Sequence, residues 1–128
     1  SKDFNNFELL SAISNHNYKK AYQIVCYFSK NPSKHSIILT ISVLYSFFVK
    51  VMKLHTLSSQ NPKTVANKIG VNPYFLKDYN SAKNNFSMRQ ISRIFEILRD
   101  IDLKSKGVGS NSVSKDLYNE LLIKIFDT

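Results

Sequence analysis

Tyr74, Lys77, Asn80 and Lys83 are the side chains that the second helix of a helix-turn-helix would present to a major groove. Polar and basic side chains in that arrangement are the material of a DNA-reading helix, and the chain before them has matching parts. Ala66 supplies a small packing residue, Gly70 a turn glycine, and Leu76 and Tyr79 the two buried positions of a helix-turn-helix over residues 64–83. The leading end of its second helix is poor at reading bases. Pro73, Tyr74 and Phe75 stand where Arg, Gln or Asn would make bidentate contacts to base edges, and Asp78 would repel phosphate. A DNA-binding regulator is the alternative reading of this segment. It predicts duplex binding that weakens steeply with salt.

Other reactive residue types are sparse and scattered. His16, His35 and His55 fall on separate elements without an i, i+4 ligand partner, so helical zinc chelation is not encoded. Cys26 lies beside an apolar stripe with only Lys30 to make its setting electropositive, and a packed thiol is the default. Asp100 and Asp102 are two apart and point to different helix faces, which argues against a carboxylate pair for acid–base work. Asp102 and Lys106 are four apart in the favourable order, enough for about 0.2–0.5 kcal/mol of helix support. No G-x-x-x-x-G-K-[ST] phosphate cradle occurs, and Gly107-Val108-Gly109 follows a helix rather than a strand. No cofactor is expected.

The chain's 128 residues suit one domain with a real core, and 43% apolar with 12% aromatic residues argues against disorder. Three Gly and three Pro are too few to punctuate an all-β fold. The net charge of +9 raises nucleic acid as a partner, but divided at Leu57 the excess is spread over both halves. That leaves a general attraction near DNA and an ordinary basic surface both open. One cysteine excludes an internal disulfide and fits a reducing, cytoplasmic setting. No secretion leader is seen. The chain opens without Met in polar residues, as expected of a domain whose N-terminal companions are missing.

Periodicity gives an all-α fold, a single-domain bundle of about seven helices around one long central helix. Asn5 and Glu8 have capping-box spacing and open a first helix with Phe7, Leu10 and Ile13 on its apolar face. Tyr18, Ala21, Tyr22, Val25 and Phe28 mark a second, ended by Pro32. Ser33 is expected to cap the long helix, running to about Leu57 and apolar on nearly every face from Ile37 to Met52. About fifteen residues between Lys34 and Lys50 fall short of the roughly 20 a membrane span needs, so it is read as a bundle axis. Pro62 and Pro73 open two short helices, Gly70 closing the first. Ser87 and Gln90 cap a helix with a stripe from Met88 to Ile101, Gly107 to Ser112 form a flexible loop, and a last helix runs from about Lys115 to Phe126.

Several of these pieces, in this order, resemble a known family. They are the A-x-x-[IL]-G-[IV]-x-P-[FY] block at Ala66 to Tyr74, the D-x-x-x-K-G ending at Asp102, Lys106 and Gly107, and the Leu-rich helix from Leu117 to Phe126. Phe7-Glu8-Leu9-Leu10 and the apolar helix after Ser33 extend the likeness upstream. Nearly the whole chain thus resembles the C-terminal domain of the delta subunit of bacterial DNA polymerase III, part of the sliding-clamp loader. The resemblance implies a non-catalytic domain that packs against the C-terminal domains of the tau/gamma and delta prime subunits in a closed collar. The clamp would be gripped by the missing N-terminal domain, and DNA met at the level of the complex. Tyr45, Phe48 and Met52, surplus apolar residues of the long helix, and Lys106 are the expected contacts with neighbouring subunits. The chain is richer in Asn, Lys and Tyr than a typical member, which bears on surface contacts and not on the fold.

Overall fold

The computed structural model describes residues 3–58, 61–107 and 113–128. Among the described residues, seven α-helices follow in chain order: α1 Asn6–Ser14, α2 Tyr18–Lys30, α3 Ile37–Thr56, α4 Pro62–Ile69, α5 Leu76–Asn85, α6 Met88–Ser105 and α7 Ser114–Phe126. A 3-10 turn, Pro73–Phe75, leads into α5. The all-helical expectation holds, and no strand is present among the described residues.

Helix starts follow the local chemistry. At α1 the Glu8 N–H donates to Asn5 Oδ1 at 2.9 Å and the Asn5 N–H donates back to Glu8 Oε1 at 3.2 Å, the capping box read from the sequence. Ser87 and Gln90 do the same for α6. Gly70 closes α4 in the left-handed region, at φ 77, with its N–H donating to the Ala66 and Asn67 carbonyls. The start of α3 differs from expectation. Ser36, not Ser33, caps it, its hydroxyl accepting from the Leu39 N–H at 3.2 Å. Pro32 to His35 form a turn instead, the Lys34 and His35 N–H groups both donating to the Asn31 carbonyl. Pro73 likewise opens a 3-10 turn rather than the helix itself. Beyond Gly107, the expected loop lies outside the described residues.

Helix α3 is the axis: α1, α4, α5, α6 and α7 all pack on it. The length argument against a membrane span does not stand, because α3 is 20 residues long with a mean hydropathy of 1.9. Its surroundings mark it as a core helix. Ile41, Leu44, Phe47, Phe48 and Val51 are buried among the other helices, and Thr40 is hydrogen-bonded to Tyr118 of α7. One large core joins α1, α2, α3, α5, α6 and α7. A smaller cluster of Leu54, Val65, Ala66, Ile69 and Leu76 seats α4 on the end of α3.

The buried faces are rotated slightly from those expected. In α1, Leu9, Ala12 and Ile13 face inward while Phe7 is 62% exposed. In α2, Ile24 takes the inward place given to Tyr18 and Tyr22, which are partly exposed. Met88 is exposed at the start of α6, and Ile97 completes its buried stripe.

Candidate subunit interface

An α3 that is apolar all round has more apolar surface than this bundle covers. Ile38, Leu39 and Tyr45 are about half exposed, and Ile38, Ile41 and Tyr45 form one wall of an open groove of about 370 Å³ between α3 and α6. Phe95, Leu98, Arg99 and Asp102 form the other wall. The Tyr45 and Phe95 rings meet across the groove at 5.3 Å between centroids, tilted by 53°. This geometry suits a protein surface. Contiguous exposed apolar patches mark interaction sites, and an aromatic residue with a polar tip serves well at a contact that is part dry and part wet.

The expected interface residues separate into three situations. Tyr45 is 54% exposed and central to the groove. Met52 is half-buried against the main core and offers only part of its side chain. Phe48 is the correction: it is 0% exposed, with its ring edge-on to Phe47 at 5.3 Å and to Phe86 at 5.4 Å. A neighbouring subunit has no access to it, because α5 and the chain leading into α6 cover that side of α3. Lys106 is exposed and belongs to the groove indirectly, its Nζ donating to Asp102 Oδ2 at 2.9 Å. The pair takes the charge of Asp102 out of play at the groove's end. Ile38 and Leu39 were missed, since an all-round apolar helix gives no signal of which side its own bundle leaves open, and Phe95 of α6 was read only as part of that helix's apolar stripe.

Tyr74, Lys77, Asn80 and Lys83 do not form a reading row. Tyr74 sits on the 3-10 turn and is 84% exposed, with Lys77 and Asn80 exposed behind it. Asn80 and Lys83 share a stripe with buried Leu76 and border a groove with Leu54, Leu57 and Pro62. They lie beside the α3–α4 packing rather than directly away from it.

Several other titratable groups are committed to structure. Lys104 bridges Glu120 of α7 at 2.7 Å and Asp100 at 3.2 Å, and Lys124 reaches Glu120 at 2.7 Å. Burial pushes the Asp100 and Glu120 carboxyls up, but the two lysines outweigh it and hold both below their ordinary range. Asp100 and Asp102 thus turn to different partners, as their spacing predicts. His16 and His55 bond to backbone carbonyls, and His35 stacks on Phe28 at 4.1 Å. Among the described residues, no group of three or more His, Cys, Asp or Glu is placed to hold a metal.

Residues 3–125 match the family model of the DNA polymerase III delta subunit, C-terminal domain. The chain belongs to that family. No curated protein and no solved structure matches it. The match reaches into every helix, so the α3–α6 groove, the ion-paired α6–α7 seam and the α4–α5 corner are all parts of a delta C-terminal domain. The family is one of DNA replication and is generally non-catalytic.

Proposed function

We propose that this delta C-terminal domain is an assembly domain, one wedge of the collar that holds a clamp loader together. Its neighbours are the C-terminal domains of the tau/gamma and delta prime subunits. Domains upstream of it in the same subunit grip the sliding clamp, so that the complex opens the clamp and loads it onto primed DNA in the cytoplasm. The domain contributes rigidity and contact area, and no catalytic step. The observation that supports this most is the open apolar groove around Tyr45 on a family-matched helical domain. Burying Ile38, Leu39 and Tyr45 against a neighbour removes apolar surface from water at about 25 cal/mol per Å². Arg99 and the Lys106–Asp102 pair lie at the edge, where polar residues belong in an interface.

Light scattering behind size exclusion tests the proposal, with the chain alone and then mixed with the C-terminal domains of the other loader subunits from the same organism. A stable heteromeric peak that disappears with Tyr45→Asp is the expected result. Tyr45 is the residue to change because Phe48→Asp would break the core and report on folding alone. A chain that stays monomeric in every mixture, while binding duplex DNA with sequence preference, overturns the collar in favour of the 64–83 segment as a DNA reader.

A further inference from the structure

The three arginines of the chain, Arg89, Arg93 and Arg99, all stand on α6, while its other fifteen basic residues are lysines distributed along the whole sequence. At about 100° per residue the three fall within about 120° of one another, roughly opposite the buried stripe of Ile91, Ile94, Leu98 and Ile101. All three are exposed. Arginine does what lysine does not. Its guanidinium is a planar, weakly hydrated fork that lies against apolar surface and donates two parallel hydrogen bonds to one carboxylate.

Arg99 is the arginine that reaches the α3–α6 groove, on the wall with Phe95 and Leu98 and opposite Ile38 and Tyr45. The other charge lining that groove, Asp102, is already matched by Lys106 at 2.9 Å. Arg93 is matched by Glu96 at 3.2 Å, and Asp100 turns to Lys104 and Lys124. Among the described residues Arg99 and Arg89 are in no ion pair. Across the groove, α3 carries no charged residue from Ile37 to Val49. The groove thus has an apolar wall, an aromatic pair and one unmatched guanidinium. Covering that guanidinium without a partner would strip its hydration uncompensated, so a surface that closes the groove must bring a negative group to it. A phosphate backbone brings the charge but leaves Ile38, Leu39 and Tyr45 in water. A protein surface with an apolar ridge beside a carboxylate covers both.

We infer that Arg99 is a specificity-determining residue of this groove, receiving an Asp or Glu carboxylate of the neighbouring subunit beside the apolar ridge that packs on Ile38, Tyr45 and Phe95. The inference rests on the groove being a collar contact, and it adds the chemistry of the surface that faces it. Buried charge pairs of this kind act on dissociation and reject partners that lack the complementary charge. Arg89 stands about 15 Å along α6 from Arg99, at 1.5 Å per residue, and as a rim charge it draws the same acidic surface in during approach.

Surface plasmon resonance tests this, with the full chain and each C-terminal domain of the other loader subunits. For the domain whose complex is lost with Tyr45→Asp, the parent should bind tightest and Arg99→Lys less tightly. Arg99→Ala should be about tenfold or more weaker than the parent, and Arg99→Glu weakest of all. Arg89→Ala should slow association and reduce its salt dependence while leaving dissociation unchanged. If no carboxylate meets Arg99, Arg99→Ala binds as tightly as the parent or tighter. That result overturns the inference, while the loss with Tyr45→Asp keeps the collar. Complexes that all survive Tyr45→Asp overturn it as well, by placing the contact elsewhere. If the parent binds no domain, collar and inference fall together. A DNA duplex whose binding is lost with Arg99→Ala, beside an unchanged affinity for the subunit, makes the arginine face a nucleic-acid surface and overturns the carboxylate.

Discussion

Tyr118 and Thr40, 78 residues apart in sequence, share a 2.7 Å hydrogen bond between their hydroxyls in the middle of the bundle. The Tyr118 hydroxyl also donates to the His35 carbonyl at 2.9 Å, which leaves the Thr40 hydroxyl to donate to Tyr118. One phenol thereby ties α7 to α3 and to the turn that introduces α3. Tyr118→Phe deletes both bonds and strands the Thr40 hydroxyl and the His35 carbonyl. The expected cost is about 1–3 kcal/mol of unfolding free energy, read by urea titration. Adding Thr40→Val to Tyr118→Phe should cost less than the same change made in the parent, and the double-mutant cycle measures that coupling.

The same phenol gives the domain an alkaline limit. Burial pushes the Tyr118 hydroxyl up to about 12, the Thr40 hydrogen bond acting weakly in the other direction. Its folded pKa is above its unfolded value of about 10, so its contribution is complete below pH 10 and is lost as pH rises from 10 towards 12. Melting temperature should fall across that window in the parent. Tyr118→Phe should start lower and fall less steeply.

His35 sets an opposite limit on the acid side. Burial lowers its pKa, with Lys34 adding to the effect and Asp3 opposing it. Its ring lies flat on Phe28, at 8° between planes, and edge-on to Tyr27. With the folded pKa below an unfolded value of about 6.5, stability is complete above pH 6.5 and declines as pH falls below it. Melts at pH 7.5 and pH 5 should show that decline, and His35→Gln should flatten it. A further loss below about pH 4, where Asp100 and Glu120 begin to take protons, should remain in the variant.

Phe48 and Tyr45 separate stability from assembly on one helix. Phe48→Ala empties a fully enclosed site and should cost about 3–5 kcal/mol. Tyr45→Ala removes a half-exposed ring and should stay within about 0.5 kcal/mol in the isolated chain. Paired urea titrations check the contrast.

How legible this was in the sequence depended on the range of the forces involved. Helix starts set by a few neighbouring residues were readable at Asn5 and Ser87, where a side chain satisfies an N–H three places on. The start of α3 was misread because Ser33 and Ser36 both precede the apolar run. Choosing between them required knowing that Pro32 to His35 close a turn on the Asn31 carbonyl. The exposed side of α3 was not readable at all, since Ile38, Tyr45 and Phe48 are equally apolar and only tertiary packing distinguishes them.

His16 and His55 act on one short connection of the chain. His16 Nε2–H donates to the Asn85 carbonyl at 3.1 Å and His55 Nε2–H donates to the Phe86 carbonyl at 2.7 Å, so the short connection from α5 to α6 is held from two sides. Asn85 returns the contact, its Nδ2 donating to the Ser14 carbonyl at 2.8 Å, and the His16 ring stacks on Phe86 at 4.7 Å. To reach this position His16 adopts φ 53, the one positive φ outside glycine among the described residues. His16→Gly and His16→Ala both lose the ring and its bond, but only glycine escapes the left-handed strain. The glycine variant should therefore be the more stable of the two by about 1 kcal/mol. His55→Ala should cost about 1–3 kcal/mol through the carbonyl it strands. Hydrogen exchange is the sharper probe, because protection of the amides at the start of α6 should fall before that of α2. Uniform loss of protection across the whole chain would mean that the histidines act on global stability and not on this junction.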